Sequence, residues 1–134
     1  MKKVSASDLI LLVLSLILLF GSHFGFHACP PKADGSWMLC HWAEHTVTAL
    51  GIVFAVLSLV RFFVDFRIKS GISLSFVPLT LFTALVPGLI IKLCMVKDMR
   101  CHTVMRPAVI VLSLLILSVS VIDFIVSLKK SAEK

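Results

Sequence analysis

Four long apolar segments alternate with short polar gaps along the 134 residues of this chain. The apolar segments cover about residues 9–26, 46–63, 72–91 and 107–128, and each approaches the ~20 residues that a helix needs to cross roughly 30 Å of hydrocarbon. Backbone polar groups in lipid must pair within their own segment, so we expect each run to be helical. The pattern predicts an all-α membrane protein, a transmembrane four-helix bundle that forms one polytopic domain over residues 1–134.

Composition supports the same class. Hydrophobic residues make up 59% of the chain and the mean hydropathy is +1.07, whereas soluble domains are about 45–50% apolar. The lipid bilayer is therefore the first expected partner.

The distribution of lysine and arginine predicts the orientation. Eight of the 13 basic residues lie on the side that bears both termini and the turn at residues 64–71, and five lie beside the two outer loops, residues 27–45 and 92–106. By the positive-inside rule both termini are cytoplasmic and both loops face outward. The net charge of +6 then reflects topology and attraction to anionic headgroups, and it gives no reason to expect a nucleic-acid partner.

The few charges near the apolar runs are expected to reach water or headgroups. Arg61 ends the run that begins at Thr46, so we predict a helix that continues to Phe63 while the guanidinium extends to the headgroups. Asp65 lies in a turn, and Asp123 lies close enough to the headgroups to stay ionised. With no carboxylate expected near the bilayer centre, a proton pump or ion pathway is not expected.

Two other features concern the helices themselves. Pro78 and Pro87 each remove a backbone donor from the third segment, which predicts a kinked helix. Gly21 and Gly25 are four residues apart near the outer end of the first helix, a spacing that allows another backbone to approach closely.

A tetrapeptide pattern occurs twice. Met38-Leu39-Cys40-His41 and Met99-Arg100-Cys101-His102 are 61 residues apart, each in a polar gap. Because two helices make each unit, both copies have the same orientation, related by a pseudo-two-fold axis along the membrane normal. The repeat predicts two tandem helical hairpins.

The same two gaps hold all four cysteines: Cys29, Cys40, Cys94 and Cys101. Two cysteines per loop on an oxidising face favour one disulfide per loop. In a loop-entropy model each disulfide would stiffen its loop and stabilise the fold by about 2–4 kcal/mol. Pairing between the loops stays open, because four cysteines permit three connectivities.

A metal site is the alternative use of these atoms, since thiolate, thioether and imidazole together suit copper best and zinc in part. His41 and His45 are four residues apart and could share an ion with Glu44 nearby. Haem binding belongs to the same alternative, and thiol exchange is a third, although neither cysteine pair has Cys-x-x-Cys spacing. The candidate ligands are His27, Cys29, Met38, Cys40, His41, His45, Cys94, Met99, Cys101 and His102.

Catalysis is not expected. The chain has no Gly-rich phosphate loop, no Gly-x-Ser-x-Gly and no His-Glu-x-x-His, and too little chain lies outside the membrane to enclose a polar substrate. The sequence predicts a non-enzymatic membrane protein without a required cofactor, with copper or zinc as the exception that the alternative would need.

The two loop segments also carry a family resemblance. Residues 34–42, Asp-Gly-Ser-Trp-Met-Leu-Cys-His-Trp, and residues 94–108, with Asp-Met-Arg-Cys-His-Thr and Arg-Pro-Ala, resemble an uncharacterised family of small bacterial four-helix membrane proteins, catalogued as a domain of unknown function. The resemblance covers nearly the whole chain. It implies a bacterial inner-membrane location and a loose association with ATP-binding-cassette (ABC) exporters that have an FtsX-like permease. It implies no catalytic residue. We therefore expect an accessory subunit of an envelope transporter, with a soft-metal sensor as the alternative.

Overall fold

Four long helices make up the computed structural model of this protein, which describes residues 4–25, 33–36, 39–91 and 101–133. Helix α1 spans Ala6–Phe20 and continues as a π-helical turn over Gly21–Gly25. A second π-helical turn, Cys101–Met105, leads into helix α4, which spans Arg106–Ala132. All four helices are long and apolar enough to span a membrane, which confirms the predicted fold class. The other helices are α2 (Leu39–Phe63), α3 (Phe66–Leu85) and α4 (Arg106–Ala132).

The boundaries of the middle helices differ from the predicted segments. Helix α2 begins at Leu39, inside the predicted first outer loop, and reaches Phe63 as predicted. Helix α3 begins at Phe66, directly after its N-cap Asp65. An aspartate is favourable there because the N-terminal end of a helix carries positive partial charge.

The third predicted segment does not remain helical to residue 91. Helix α3 passes through Pro78 but ends at Leu85. Pro87 has no backbone N–H and Gly88 has a φ of +112°, a conformation that favours glycine. The chain instead turns, and the Gly88 N–H donates to the Ile91 carbonyl at 3.1 Å.

The helices pack as two hairpins side by side. Helix α1 packs along α2 and α3 packs along α4, while α1 also contacts α4 and α2 contacts α3. We call the end with Ala6, Phe63, Phe66 and Ala132 the termini end, and the opposite end the loop end. The packing confirms the predicted tandem hairpins.

Small and hydroxyl residues set the α1–α2 interface. Ser22 Oγ lies 3.0 Å from Thr48 Oγ1, and Ser15 Oγ lies 3.2 Å from Ser58 Oγ. Between these pairs a Cβ on Gly51 would lie 3.0 Å from the Leu19 Cα. Because two helices in lipid gain little from hydrophobicity, close approach and hydrogen bonds hold them together.

Five buried positions of α2 have buried counterparts 62 residues later, four of them in α4 and one in the π-helical turn before it. This correspondence agrees with the tandem-hairpin arrangement. Its offset is one residue longer than the 61-residue offset that aligns the two Met-x-Cys-His segments. The matching pairs are Ala43 with Met105, Val47 with Val109, Gly51 with Ser113, Phe54 with Ile116, and Ser58 with Ser120.

We predict that Gly51→Ala weakens the α1–α2 contact. The new methyl group would press on the Leu19 backbone, so we expect the free energy of unfolding to fall by about 1–3 kcal/mol. The measurement is detergent-titrated unfolding followed by circular dichroism.

The matched control is Gly71→Ala in α3, where no described atom lies within 4 Å of the added Cβ. This substitution should leave stability unchanged or raise it by up to about 1 kcal/mol, because alanine is the better helix former. Equal effects of the two substitutions would contradict the close approach at Gly51.

Candidate functional site

Each of the four helices contributes one charged side chain to a network at the termini end. The residues are Asp8 of α1, Arg61 of α2, Lys69 of α3 and Asp123 of α4. Asp8 and Arg61 are almost completely buried, at 0% and 1% exposure. We call these four residues the charge network.

Arg61 is the centre of the charge network. Its Nε donates to Asp8 Oδ1 at 2.9 Å, and its Nη2 lies 2.6 Å from Asp123 Oδ2. Its Nη1 donates to Ser73 Oγ on α3. One guanidinium therefore joins side chains of three other helices, which its five fixed donors make possible.

The two carboxylates have further partners. Lys69 Nζ lies 2.6 Å from Asp8 Oδ2, and the Ser5 backbone N–H donates to the same oxygen at 3.2 Å. Ser73 Oγ donates to Asp123 Oδ2 at 2.6 Å, and Ser7 Oγ donates to Asp123 Oδ1. All four carboxylate oxygens thus accept at least one hydrogen bond or ion pair.

The charges of the network balance, because two cations face two carboxylates. An isolated ion away from water costs several kcal/mol, and only close pairing with satisfied hydrogen bonds offsets that cost. The full set of partners explains how four ionisable groups can lie within candidate membrane spans.

The prediction that the Arg61 guanidinium extends to the lipid headgroups was therefore wrong. Its side chain points into the bundle because Asp8 and Asp123 offer paired oxygens there. Asp123 does lie near the termini end, but its partners are protein groups rather than lipid headgroups. Asp8 was not among the residues that the sequence pattern singled out, although an aspartate directly before the first apolar segment was a visible signal.

At the loop end, the structure brings two predicted ligands together. His41 and His45 lie on the first turns of α2, with their Nε2 atoms 2.9 Å apart and their ring centroids 4.3 Å apart. Glu44 does not complete a site, since no three histidine, cysteine, aspartate or glutamate side chains group together within the part of the chain that the structure describes.

The remaining candidate ligands are not tested by this structure. The backbones of Cys40, Cys101 and His102 lie in the first helical turns at the loop end, but their side chains lie outside the description. The whole residues His27, Cys29, Met38, Cys94 and Met99 lie outside the described residues.

The predicted packing role of Gly21 and Gly25 stays a prediction. Gly21 and Gly25 bound the π-helical turn after α1, and no described atom lies within 4 Å of a Cβ placed on Gly25. The close helix approach in the described bundle is at Gly51, which the sequence pattern did not single out.

A groove on the bundle surface lies between α1 and α4 near the loop end. Its volume is about 460 Å³, and its lining includes Ile17, Val104, Pro107 and Val111. The lining is almost entirely apolar, so this groove suits hydrocarbon chains better than a polar substrate.

A family model matches residues 11–126, which is most of the chain. The matched range includes three members of the charge network, Arg61, Lys69 and Asp123. The chain belongs to the DUF4418 family. That family is described as a domain of unknown function. No curated protein and no solved structure matches the chain. Membership thus agrees with the resemblance seen in the sequence, and this DUF4418 protein is a multi-pass membrane protein by its four candidate spans.

We predict that Arg61→Met destabilises this DUF4418 protein by about 3–5 kcal/mol, because the buried Asp8 carboxylate and the partly buried Asp123 carboxylate would lose their shared cation. The control is Arg67→Met, an exposed arginine at the same end, which should change stability by less than about 0.5 kcal/mol. Detergent-titrated unfolding measures both.

A double-mutant cycle with Asp123→Asn tests the coupling. The double variant Arg61→Met/Asp123→Asn leaves Asp8 paired with Lys69, so it should be more stable than the sum of the single effects implies. Strict additivity would contradict a coupled network.

Proposed function

We propose that this DUF4418 protein is a non-enzymatic accessory subunit of an ABC-type envelope transporter in the bacterial inner membrane. In this proposal the bundle is a rigid support, both termini are cytoplasmic, and the two outer loops contact the transporter. Each loop is closed by its own disulfide, Cys29 with Cys40 and Cys94 with Cys101.

The observation that carries the proposal is the position of the two Cys-His segments in the fold. Cys40 and His41 lie on the first turn of α2, and Cys101 and His102 open the π-helical turn before α4. Arg61 and Asp123, near the other ends of these helices, are in contact. Helices α2 and α4 are therefore parallel, and both segments start at the same end of the bundle.

The rest of the described bundle supports a role in binding rather than catalysis. The charge network is saturated with internal partners, and the groove between α1 and α4 is apolar. Trp42, 61% exposed on the first turn of α2, is the kind of aromatic side chain that is enriched at protein interfaces.

Metal handling is the second candidate, and the His41–His45 pair favours it. Two imidazole nitrogens 2.9 Å apart are close enough to bind one ion. In this candidate the loop cysteines and methionines are ligands for copper or another soft metal rather than disulfide partners. No observation on the described residues favours haem binding or thiol exchange.

Thiol counting separates the two candidates. Under denaturing, non-reducing conditions we expect no free thiol, and four after reduction, since each loop would hold one disulfide. Peptide mass spectrometry then assigns Cys29–Cys40 and Cys94–Cys101. Four free thiols with stoichiometric bound metal would refute the disulfide-closed form of the accessory proposal.

Site-specific photo-crosslinking in native membranes tests the accessory role. A photoreactive residue in place of Trp42 at the loop end should give an adduct with a transporter permease. The control places the same residue at Phe63, 74% exposed at the termini end, where we expect no such adduct. If neither position gives an adduct with a permease, the proposal is refuted.

A further inference from the structure

The geometry points to a two-histidine copper site: we propose that His41 and His45 bind a divalent ion of tetragonal preference, Cu²⁺, as two adjacent ligands. This proposal deepens the metal-handling candidate and rests on it for the location. It changes the chemistry of that candidate, from a soft Cu(I) site made by sulfur to a Cu(II) site made by imidazole.

The distance between the two nitrogens selects the ion. Metal–imidazole bonds are about 2.0–2.1 Å long, so Nε2 atoms 2.9 Å apart would subtend an angle of about 90° at a shared ion. Adjacent positions of a square-planar or tetragonal ion require that angle, whereas tetrahedral zinc requires a wider one. Among divalent ions Cu²⁺ also binds nitrogen ligands most tightly.

Helix α2 holds the two histidine rings close together before an ion binds. Residues four apart lie one above the other on a helix face, and the ring of His41 packs edge-on against both His45 and Trp42, with centroids 4.3 and 6.3 Å away. His45 is exposed and His41 is half-buried, so an ion can reach the pair from water.

In the present contact one Nε2 donates its hydrogen to the other. For both Nε2 lone pairs to face the ion, the donating ring must carry its hydrogen on Nδ1 instead, which is a change of tautomer. The positive end of the α2 dipole disfavours a nearby cation, so affinity would come from chelation by the two rings.

Trp42 reports binding directly, because bound Cu²⁺ quenches the fluorescence of a nearby indole. The experiment uses the full chain in detergent, with Trp37→Phe so that Trp42 is the sole tryptophan, and with any thiols blocked by N-ethylmaleimide so that they cannot reduce the ion. Titration with Cu²⁺ should quench Trp42 with saturation at one equivalent, and the electron paramagnetic resonance spectrum should show two nitrogen ligands.

The variants decide whether the pair is the site. Since loss of a supporting contact alone weakens metal sites by roughly 10–100-fold, His41→Ala and His45→Ala should each weaken Cu²⁺ binding at least that much. The matched control His45→Ala/Thr46→His keeps five histidines but breaks the spacing, and it should bind as weakly as His45→Ala. His23→Ala should bind like the parent. Circular dichroism verifies that each variant is folded.

The outcomes are distinct. Quenching that is unchanged in His41→Ala, or equally strong in the re-spaced variant, would overturn the copper proposal. Equal affinity for Zn²⁺ in a competition titration would overturn the geometric argument for a tetragonal ion. Neither result depends on the number of disulfides, so a failure here and a failure of the proposed accessory role are separately visible.

Discussion

The guanidinium of Arg61 is the point on which the arrangement of the helices depends. A cation buried to 1% exposure is tolerable only where paired oxygens surround it, and here they come from α1, α3 and α4. A shift of any helix by one turn would separate Arg61 from a partner by about 5.4 Å. The charge network therefore specifies the register of all four helices at the termini end, whatever its net contribution to stability.

The α1–α2 interface continues the same register toward the loop end. Asp8 with Arg61, Ser15 with Ser58, Leu19 with Gly51 and Ser22 with Thr48 are successive contacts along one antiparallel pair. Hydrogen bonds and a close backbone approach replace the hydrophobic force that is missing between helices in lipid. Nonpolar residues such as Leu18, Phe54 and Ile116 fill the spaces that remain.

The two ends of the bundle thus differ in chemistry. At the termini end, the four side chains of the charge network face inward and bind one another, so they hold the helices together. At the loop end, Trp42 and His45 are exposed on the first turns of α2. About 20 residues of α2 separate His41 from Arg61, which at 1.5 Å per residue is roughly the thickness of the hydrocarbon core. Exposed side chains at the loop end are therefore the ones on which the proposed functions depend, while the charge network at the termini end joins the four helices.

The sequence by itself determined the fold class, the number of helices and the tandem hairpins, because length and hydrophobicity alone decide what can cross a bilayer. It also placed His41 and His45 on one helix face, since that follows from the helical period. It could not determine the partners of Arg61. Asp8 and Asp123 are 53 and 62 residues away along the chain, and only the packing of the hairpins brings the three together. The same holds for Gly51, whose role follows from the Leu19 backbone opposite it. The local residue chemistry and the helical periodicity follow from the sequence, whereas the environment of a buried ion forms only when the helices pack together.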